Sequence, residues 1–460
     1  MSTDNLIICN PANGETIAEL KKDNLETVHA KLQKLKEGQA VWKQIPLKER
    51  IAIIQEYHQL LERDIEQLSI TLTEEVGKPL QQSRNEINGS RSRITWMIEN
   101  AHLSLSEEIM SQSENMTEII RHEPLGVICN ISAWNYPYLV GTNVFIPALL
   151  AGNVVFYKPS EYATLTGLHI ERLLKEAGVP DNVFQVTIGN GEVGGLLLEL
   201  PLDGYFFTGS YATGKKIYEA VAPKMVPCQC ELGGKDPLYV TEDITDIKSV
   251  AEGTADGAFY NNGQSCCAVE RIYVHEKVYE EYLFAFINEV ESWKLGNPKE
   301  EGVYIGAISR ASQLPFLENQ VKDAISKGAF LVTGGERVNG EGNYFKPAVL
   351  ANVDHGMLVM KEESFGPIIG IMKVSNDAEA IALMNDTAYG LTASVYSSNQ
   401  KRAEVILENV NSGTGYWNCC DRVSAALPWS GRKHSGFGSS LSHAGIRAFT
   451  KPKAYHLRNK

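Results

Sequence analysis

Gly126-Val-Ile-Cys-Asn-Ile131, Val154-Val-Phe-Tyr157 and Thr164 to Ala177, with Leu165, Leu168, Leu173 and Leu174, follow one another as two strand-like runs and one helical one. The first two runs are short and rich in β-branched and aromatic residues, as strands are. The third is apolar at helical spacing and is closed by Gly178 and Pro180, which stop a helix. Two more strand-like runs follow, Val183-Phe-Gln-Val186 and Tyr205-Phe-Phe207. This β-α-β alternation predicts a largely parallel sheet with helices on both faces. Ligands of such sheets sit at the carboxyl ends of the strands, and a dinucleotide is a natural one.

Upstream, from Asp23 to about Leu105, apolar residues recur at helical spacing (Leu61, Ile65, Leu68, Leu72), so the first hundred residues read as mostly helical. Between Glu107 and Arg121 the polar run Ser111-Gln-Ser-Glu-Asn115 separates two extended segments and predicts a hairpin with edges open to pairing. Downstream, a second alternating block begins near Val240. Its strand candidates are Arg271-Ile-Tyr-Val274, Phe330-Leu-Val332, Ile368-Ile-Gly-Ile-Met372 and Ala393-Ser-Val-Tyr396. The expected fold is therefore α/β, two doubly wound domains with a cleft between them.

A chain of 460 residues with 43% hydrophobic and 22% charged residues has the make-up of a folded globular protein. Lys and Arg number 43 against 56 Asp and Glu, a net charge of −13 that leaves no broad basic surface for nucleic acid. The longest apolar stretch, Val144 to Phe156, is interrupted by Pro147, Gly152 and Asn153 and falls short of the ~20 residues that span a bilayer. The N-terminus shows no basic segment followed by an apolar one. Eight cysteines, six of them in the close pairs Cys228/Cys230, Cys266/Cys267 and Cys419/Cys420, do not form a disulfide framework and fit a reducing compartment. The expectation is a cytoplasmic protein without membrane or nucleic-acid partners.

Five segments can carry chemistry. Asn261-Asn-Gly-Gln-Ser-Cys-Cys267 is a turn-rich loop leading into a strand, where a thiol can face a cleft or be an inert buried hydrophobe. In Glu231-Leu-Gly-Gly-Lys235 an acid precedes two glycines that allow close backbone approach; the acid suits a general base or a surface turn. Trp134-Asn135-Tyr136-Pro137 lies just past the strand ending near Ile131, where an Asn amide can donate to a developing oxyanion or simply form a turn. Lys158-Pro-Ser-Glu161 follows a strand and suits ribose hydroxyls, Glu161 repelling a 2′-phosphate. Finally, Phe207-Thr-Gly-Ser210 opens a helix through Gly214 and can set backbone N–H groups against a pyrophosphate, though not with G-x-G-x-x-G spacing.

Together, and in this order from Asn10-Pro-Ala-Asn-Gly14 to Ser435-Gly-Phe-Gly438, these segments resemble the aldehyde dehydrogenase superfamily. The resemblance implies Cys266 as nucleophile, Glu231 as general base and Asn135 as oxyanion donor. It implies cofactor contacts from Trp134, Lys158, Ser160, Glu161, Gly209, Ser210, Gly214, Leu232, Glu363 and Phe365. The implied cofactor is NAD, with NADP less favoured because of Glu161, and the implied product is a free acid, since relatives that pass the acyl group to coenzyme A usually lack the Glu231 acid. A silent structural relative is the alternative from another class.

The implied partition is a cofactor-binding domain over 1–104 and 125–234, a catalytic domain over 235–432, and an oligomerisation arm from 105–124 and 433–460. That arm implies a homodimer or homotetramer. Two departures from the family pattern bear on the substrate: Ala133 stands where Pro is usual, and Pro428-Trp-Ser-Gly431 where Pro-Phe-Gly-Gly is. Trp429 either packs or faces a quaternary ammonium, as in betaine aldehyde enzymes. Arg422 instead suits a carboxylate-bearing aldehyde such as succinic semialdehyde. Tyr138 completes the expected substrate contacts. No metal is expected, because Cys-x-Cys is not a zinc spacing.

Overall fold

The computed structural model describes residues 4–458. Its first sheet has the order Gly436–Phe437, Cys228–Glu231, Gly204–Thr208, Val127–Ile131, Val154–Lys158, Phe184–Val186. All pairs are parallel except the outermost, Gly436–Phe437 against Cys228–Glu231. The inner strands are covered on both faces, which is why they read as unbroken apolar runs rather than alternating ones. The longest apolar stretch resolves into the buried helix Pro137–Ala151 followed by a buried strand, not a span. Among the described residues no helix is long and apolar enough to cross a membrane.

Helices Leu25–Trp42, Leu47–Arg63, Ile65–Val76 and Leu80–Leu105 occupy the predicted helical region. Their stripes, including Leu32, Ile54, Leu61, Leu68 and Leu72, enter the same core as the first sheet. The chain's first residues depart from the helical expectation: Asn5–Cys9 pairs with Thr16–Lys21. The turn between them uses Asn10 Oδ1 as acceptor for Ala12 N and Gly14 at φ 75°, a conformation glycine adopts without strain.

The second sheet runs Phe330–Thr333, Ala348–Ala351, Ile368–Val374, Val269–His275, Asp236–Val240, Thr392–Tyr396, Thr414–Trp417, antiparallel only at its first pair. Five strands of these two sheets have no counterpart among the sequence candidates: Cys228–Glu231, Asp236–Val240, Ala348–Ala351, Thr414–Trp417 and Gly436–Phe437. Each has five residues or fewer, too short a run to read by itself, and its ladder partners hold it in the sheet. The predicted hairpin is present as Glu108–Ser113 and Met116–Pro124, and Thr450–Arg458 adds to its far edge. This arm leaves Ile109, Met110 and Leu457 exposed.

Candidate active site

The loop that delivers Cys266 is built from left-handed backbone. Asn261, Asn262 and Gly263 lie at φ 53°, 58° and 67°, the region Asn and Gly tolerate best. Their side chains brace the loop: Asn262 Nδ2 donates to Ala307 O at 3.0 Å, its Oδ1 accepts from Gly306 N at 2.8 Å, and Gln264 Oε1 accepts from Ser309 N at 3.0 Å. The two adjacent thiols differ. Cys267 is buried and donates to Asp421 Oδ1 at 2.8 Å; its hydrogen bond with the Cys266 sulfur and its burial hold it as a neutral thiol. Cys266 is part-exposed and opens on two cavities, and it is the one residue common to both.

Asn135 lies beside it on the same cavity wall. One N–H of its amide donates to Gln264 O at 3.0 Å, which fixes the amide plane and leaves the second N–H for the cavity. Its backbone is held as firmly. Lys78 Nζ donates to Asn135 O at 2.7 Å, and Asn261 Nδ2 donates to the same oxygen at 3.1 Å. Lys78 also pairs with Glu86, both side chains being fully buried, and Glu86 Oε1 accepts from Tyr138 N at 2.8 Å. No local sequence signal marks Lys78 or Glu86; the pair forms where the connection after Ile65–Val76 and the helix Leu80–Leu105 meet the turn after Ile131.

Glu231 ends a strand that is wedged between Gly204–Thr208 and Gly436–Phe437. Gln229 Nε2 and Ser440 Oγ donate to its Oε1 at 3.2 and 3.3 Å, while its buried Oε2 has no partner among the described residues. Burial pushes its carboxyl up to about 8. The next residues explain the double glycine. A Cβ on Gly233 would stand 2.3 Å from the carboxylate oxygens of Glu363, and Gly234 N donates to Glu363 Oε1 at 2.9 Å. Lys235 pairs with buried Glu270, which accepts from Ser364 N and Phe365 N and so holds the loop that presents Glu363 and Phe365. Burial pushes Glu363 up to about 8 as well.

The larger cavity, about 600 Å³, collects nine of the ten expected cofactor contacts, all but Gly214. Ser210 caps the helix Tyr211–Val221, and Ser210 and Thr213 line the cavity, so the N-terminal turn of that helix can offer backbone N–H groups to an anion there. Lys158 is 3% exposed, with a single acceptor at Pro159 O, and burial lowers its pKa. The buried ammonium therefore keeps donors in reserve for hydroxyls placed in the cavity. Trp134 and Phe365 meet edge to face at 5.5 Å, and Arg310 lies 5.4 Å over Trp134. The helix N-terminus, the buried lysine and the glycine-lined approaches fit a dinucleotide. The sequence reading missed a second wall, Gly191, Gly194 and Gly195 on helix Gly191–Glu199.

Two expected contacts are corrected. Gly214 does not line the cavity: it sits one turn into its helix, where a Cβ would meet Leu232 Cδ2 at 2.5 Å, and it serves close packing of helix on strand. Tyr138 is fully buried in the core and lines neither cavity. The helix starting at Pro137 turns Tyr136, Leu139, Val140 and Asn143 toward the smaller cavity, the i, i+3, i+4, i+7 face, and Tyr138 away from it.

That smaller cavity, about 360 Å³, is lined by Cys266, Tyr136, Tyr260, Trp429 and Arg422 among others, and is the candidate substrate tunnel. Trp429 is 7% exposed, and its backbone exchanges hydrogen bonds with Ser440, the residue that touches Glu231. Arg93, Asp256 and Asp421 line it too. Among the described residues no group of His, Cys, Asp or Glu is placed to hold a metal ion.

A profile described as the Aldehyde dehydrogenase family matches residues 1–455, and the chain belongs to this family. It is 35% identical over 389 residues to Aminoaldehyde dehydrogenase 1, peroxisomal, of Pisum sativum, covering 82% of this chain and 76% of that one. It is 31% identical to Betaine aldehyde dehydrogenase of Bacillus subtilis (strain 168), covering 98% and 94%. A solved structure of an E. coli NADP dependent enzyme superposes with a TM-score of 0.95 at 30% identity, covering 99% of this chain and 95% of that one. The protein is thus an aldehyde dehydrogenase, an oxidoreductase that acts on aldehydes with NAD or NADP.

Proposed function

We propose that this enzyme oxidises an aldehyde to the free carboxylic acid through a covalent adduct on Cys266, with NAD as hydride acceptor. The observation that carries the reading is Cys266 as the sole residue common to the cofactor cavity and the tunnel. An aldehyde entering by the tunnel meets the Cys266 sulfur, whose thiol proton passes to solvent as the carbonyl carbon gains a C–S bond and its oxygen becomes an alkoxide. The free N–H of Asn135 and the Cys266 backbone N–H are the donors for that oxygen. Bound nicotinamide supplies the acceptor for the hydride leaving the same carbon. Glu231 Oε2 then takes a proton from water as it attacks the thioester, releasing the acid and the Cys266 thiol.

Glu161 on the cofactor wall favours NAD by repelling a 2′-phosphate. The domain reading follows the two sheets: cofactor binding by 1–104 with 125–234, catalysis by 235–432. The open, apolar edge of the arm, 105–124 with 433–460, supports a homodimer or homotetramer. Eight free thiols support a reducing compartment such as the cytoplasm. For the substrate, the aromatic wall of Tyr136, Tyr260 and Trp429 favours a cation, as in the aminoaldehyde and betaine aldehyde relatives, whereas Arg422 favours a carboxylate.

The test is reduced-cofactor formation by the reduced enzyme with NAD and NADP across aliphatic, cationic and anionic aldehydes, with Cys266→Ala alongside. NAD-linked turnover abolished in Cys266→Ala is expected; turnover that survives the substitution, or a clear NADP preference, overturns the corresponding part. Light scattering at micromolar concentration should return a dimer or tetramer.

A further inference from the structure

The charges on the tunnel wall are balanced, and although Asp421 feels both Arg93 and Arg422, none of them is held in a direct pair. Arg93 and Arg422 supply two cations, Asp256 and Asp421 two anions, all on one cavity of about 360 Å³ that ends at Cys266. Among the described residues none of the four takes part in an ion pair, although the fold forms some thirty others. Their hydrogen bonds are to neutral groups. Arg93 donates to Asn143 Oδ1 at 2.9 Å, Asp421 accepts from the Cys267 thiol at 2.8 Å, and Asp256 accepts from the Tyr304 hydroxyl at 2.5 Å. Each contact fixes the direction of a side chain without cancelling its charge. Burial works against the charged forms, drawing Arg93 down to about 10 and Asp421 up to about 7.

Unpaired charges of both signs on the walls of a narrow cavity cost solvation that a complementary ligand returns. A monocation would satisfy the aspartates and leave the arginines facing it; a monoanion would do the reverse. The aromatic and arginine features that point to opposite substrates, taken singly, agree once both charges sit on one molecule.

We propose, resting on the aldehyde-oxidising reading above, that the tunnel selects a zwitterionic aldehyde, one bearing an ammonium and a carboxylate on a short chain ending in the reacting carbonyl. Asp421 takes the ammonium and Arg93 the carboxylate, with Asp256 and Arg422 as a second pair of opposite charges on the same cavity.

Three small aldehydes that differ by single groups test this. Aspartate β-semialdehyde carries both charges, succinic semialdehyde lacks its ammonium, and 3-aminopropanal lacks its carboxylate; propanal lacks both. At saturating cofactor, kcat/KM for the zwitterion should exceed that for each singly charged aldehyde by at least tenfold. Asp421→Asn should lower kcat/KM at least fivefold more for the two ammonium-bearing aldehydes than for succinic semialdehyde. Arg93→Gln should do so for the two carboxylate-bearing ones relative to 3-aminopropanal. A singly charged aldehyde matching or beating the zwitterion overturns the proposal, as does a uniform loss across all substrates in both variants. Oxidation of propanal with no zwitterion preference would leave the enzyme reading intact; no oxidation of any aldehyde would instead remove the reading on which the proposal rests.

Discussion

The cofactor cavity and the tunnel meet at one sulfur, yet they are built on different plans. The larger cavity is lined mainly by segments that follow adjacent strands of one sheet, 131–135, 158–162, 207–213 and 231–233, with Arg310, Glu363 and Phe365 closing it from the other side. Its contacts come in short local groups, and much of its recognition is backbone. The tunnel takes side chains from segments spread along the chain: Arg93, Tyr136 and Asp256 from three separate places, and Asp421 with Trp429 from the one loop after Thr414–Trp417. A cavity assembled from strand ends is set by the architecture; one assembled from scattered side chains is free to vary its charge while the chemistry stays fixed.

The sharpest way to break this division is at the sulfur. Cys266→Ala should remove turnover by about 10⁴-fold or more, as loss of a nucleophile does, while Cys267→Ala keeps it; equal losses in stopped-flow hydride transfer would mean that the two thiols share the role. Glu231→Gln should slow steady-state turnover by roughly 10²–10⁴-fold yet spare the first burst of reduced cofactor, because hydride transfer precedes hydrolysis. In the unsubstituted enzyme the deacylation rate should rise with pH through about 8, since burial holds Glu231 in its acid form below that value and the base form accumulates above it. A flat profile from pH 6 to 9 would mean that Glu231 does not titrate in this range, and the Glu231→Gln burst would then decide its role alone.

Asn135→Ala should cost about 10²–10³-fold in kcat with little change in cofactor affinity, measurable by cofactor fluorescence titration. Gly233→Ala is the converse: a Cβ 2.3 Å from the Glu363 oxygens should weaken cofactor binding about tenfold while leaving aldehyde KM near its starting value. Glu161→Gln should have the smallest effect, narrowing the NAD over NADP ratio by roughly tenfold or less through loss of one repulsive charge.

The same contrast explains what the sequence made legible. The cofactor side could be read because each contact belongs to a run with its own signature: a strand, a glycine, a capping serine. Its misses were matters of helical phase, as with Gly214, or a wall without catalytic residue types, as with Gly191 to Gly195. Cys266, Glu231 and Asn135 were legible as a set, though each alone had an ordinary structural reading. The tunnel resisted because a charge on a helix, such as Arg93, looks like any solvated arginine until the neighbouring helix brings Asn143 to it. Tyr138 failed for a related reason: adjacency to Asn135 in sequence says nothing about which way a helix turns the next side chain. Lys78 and Glu86 were invisible because burial, not pattern, distinguishes them.

The last strand, Thr450–Arg458, lies along Met116–Pro124, with Tyr455 bonded to Glu123 across 332 residues of chain, and Gly436–Phe437 and Ser440 close around Glu231. During synthesis at about 5–20 residues per second, the earlier strand therefore waits roughly 20–60 s on the ribosome with an unpaired apolar edge. Over the same interval the hydrolytic centre lacks its outer wall. A nascent chain should bind cofactor before it can turn over, and variants that delay or truncate the final twenty-odd residues should be lost to aggregation rather than released as slow enzymes, an outcome that the ratio of sedimented to supernatant protein after expression would report.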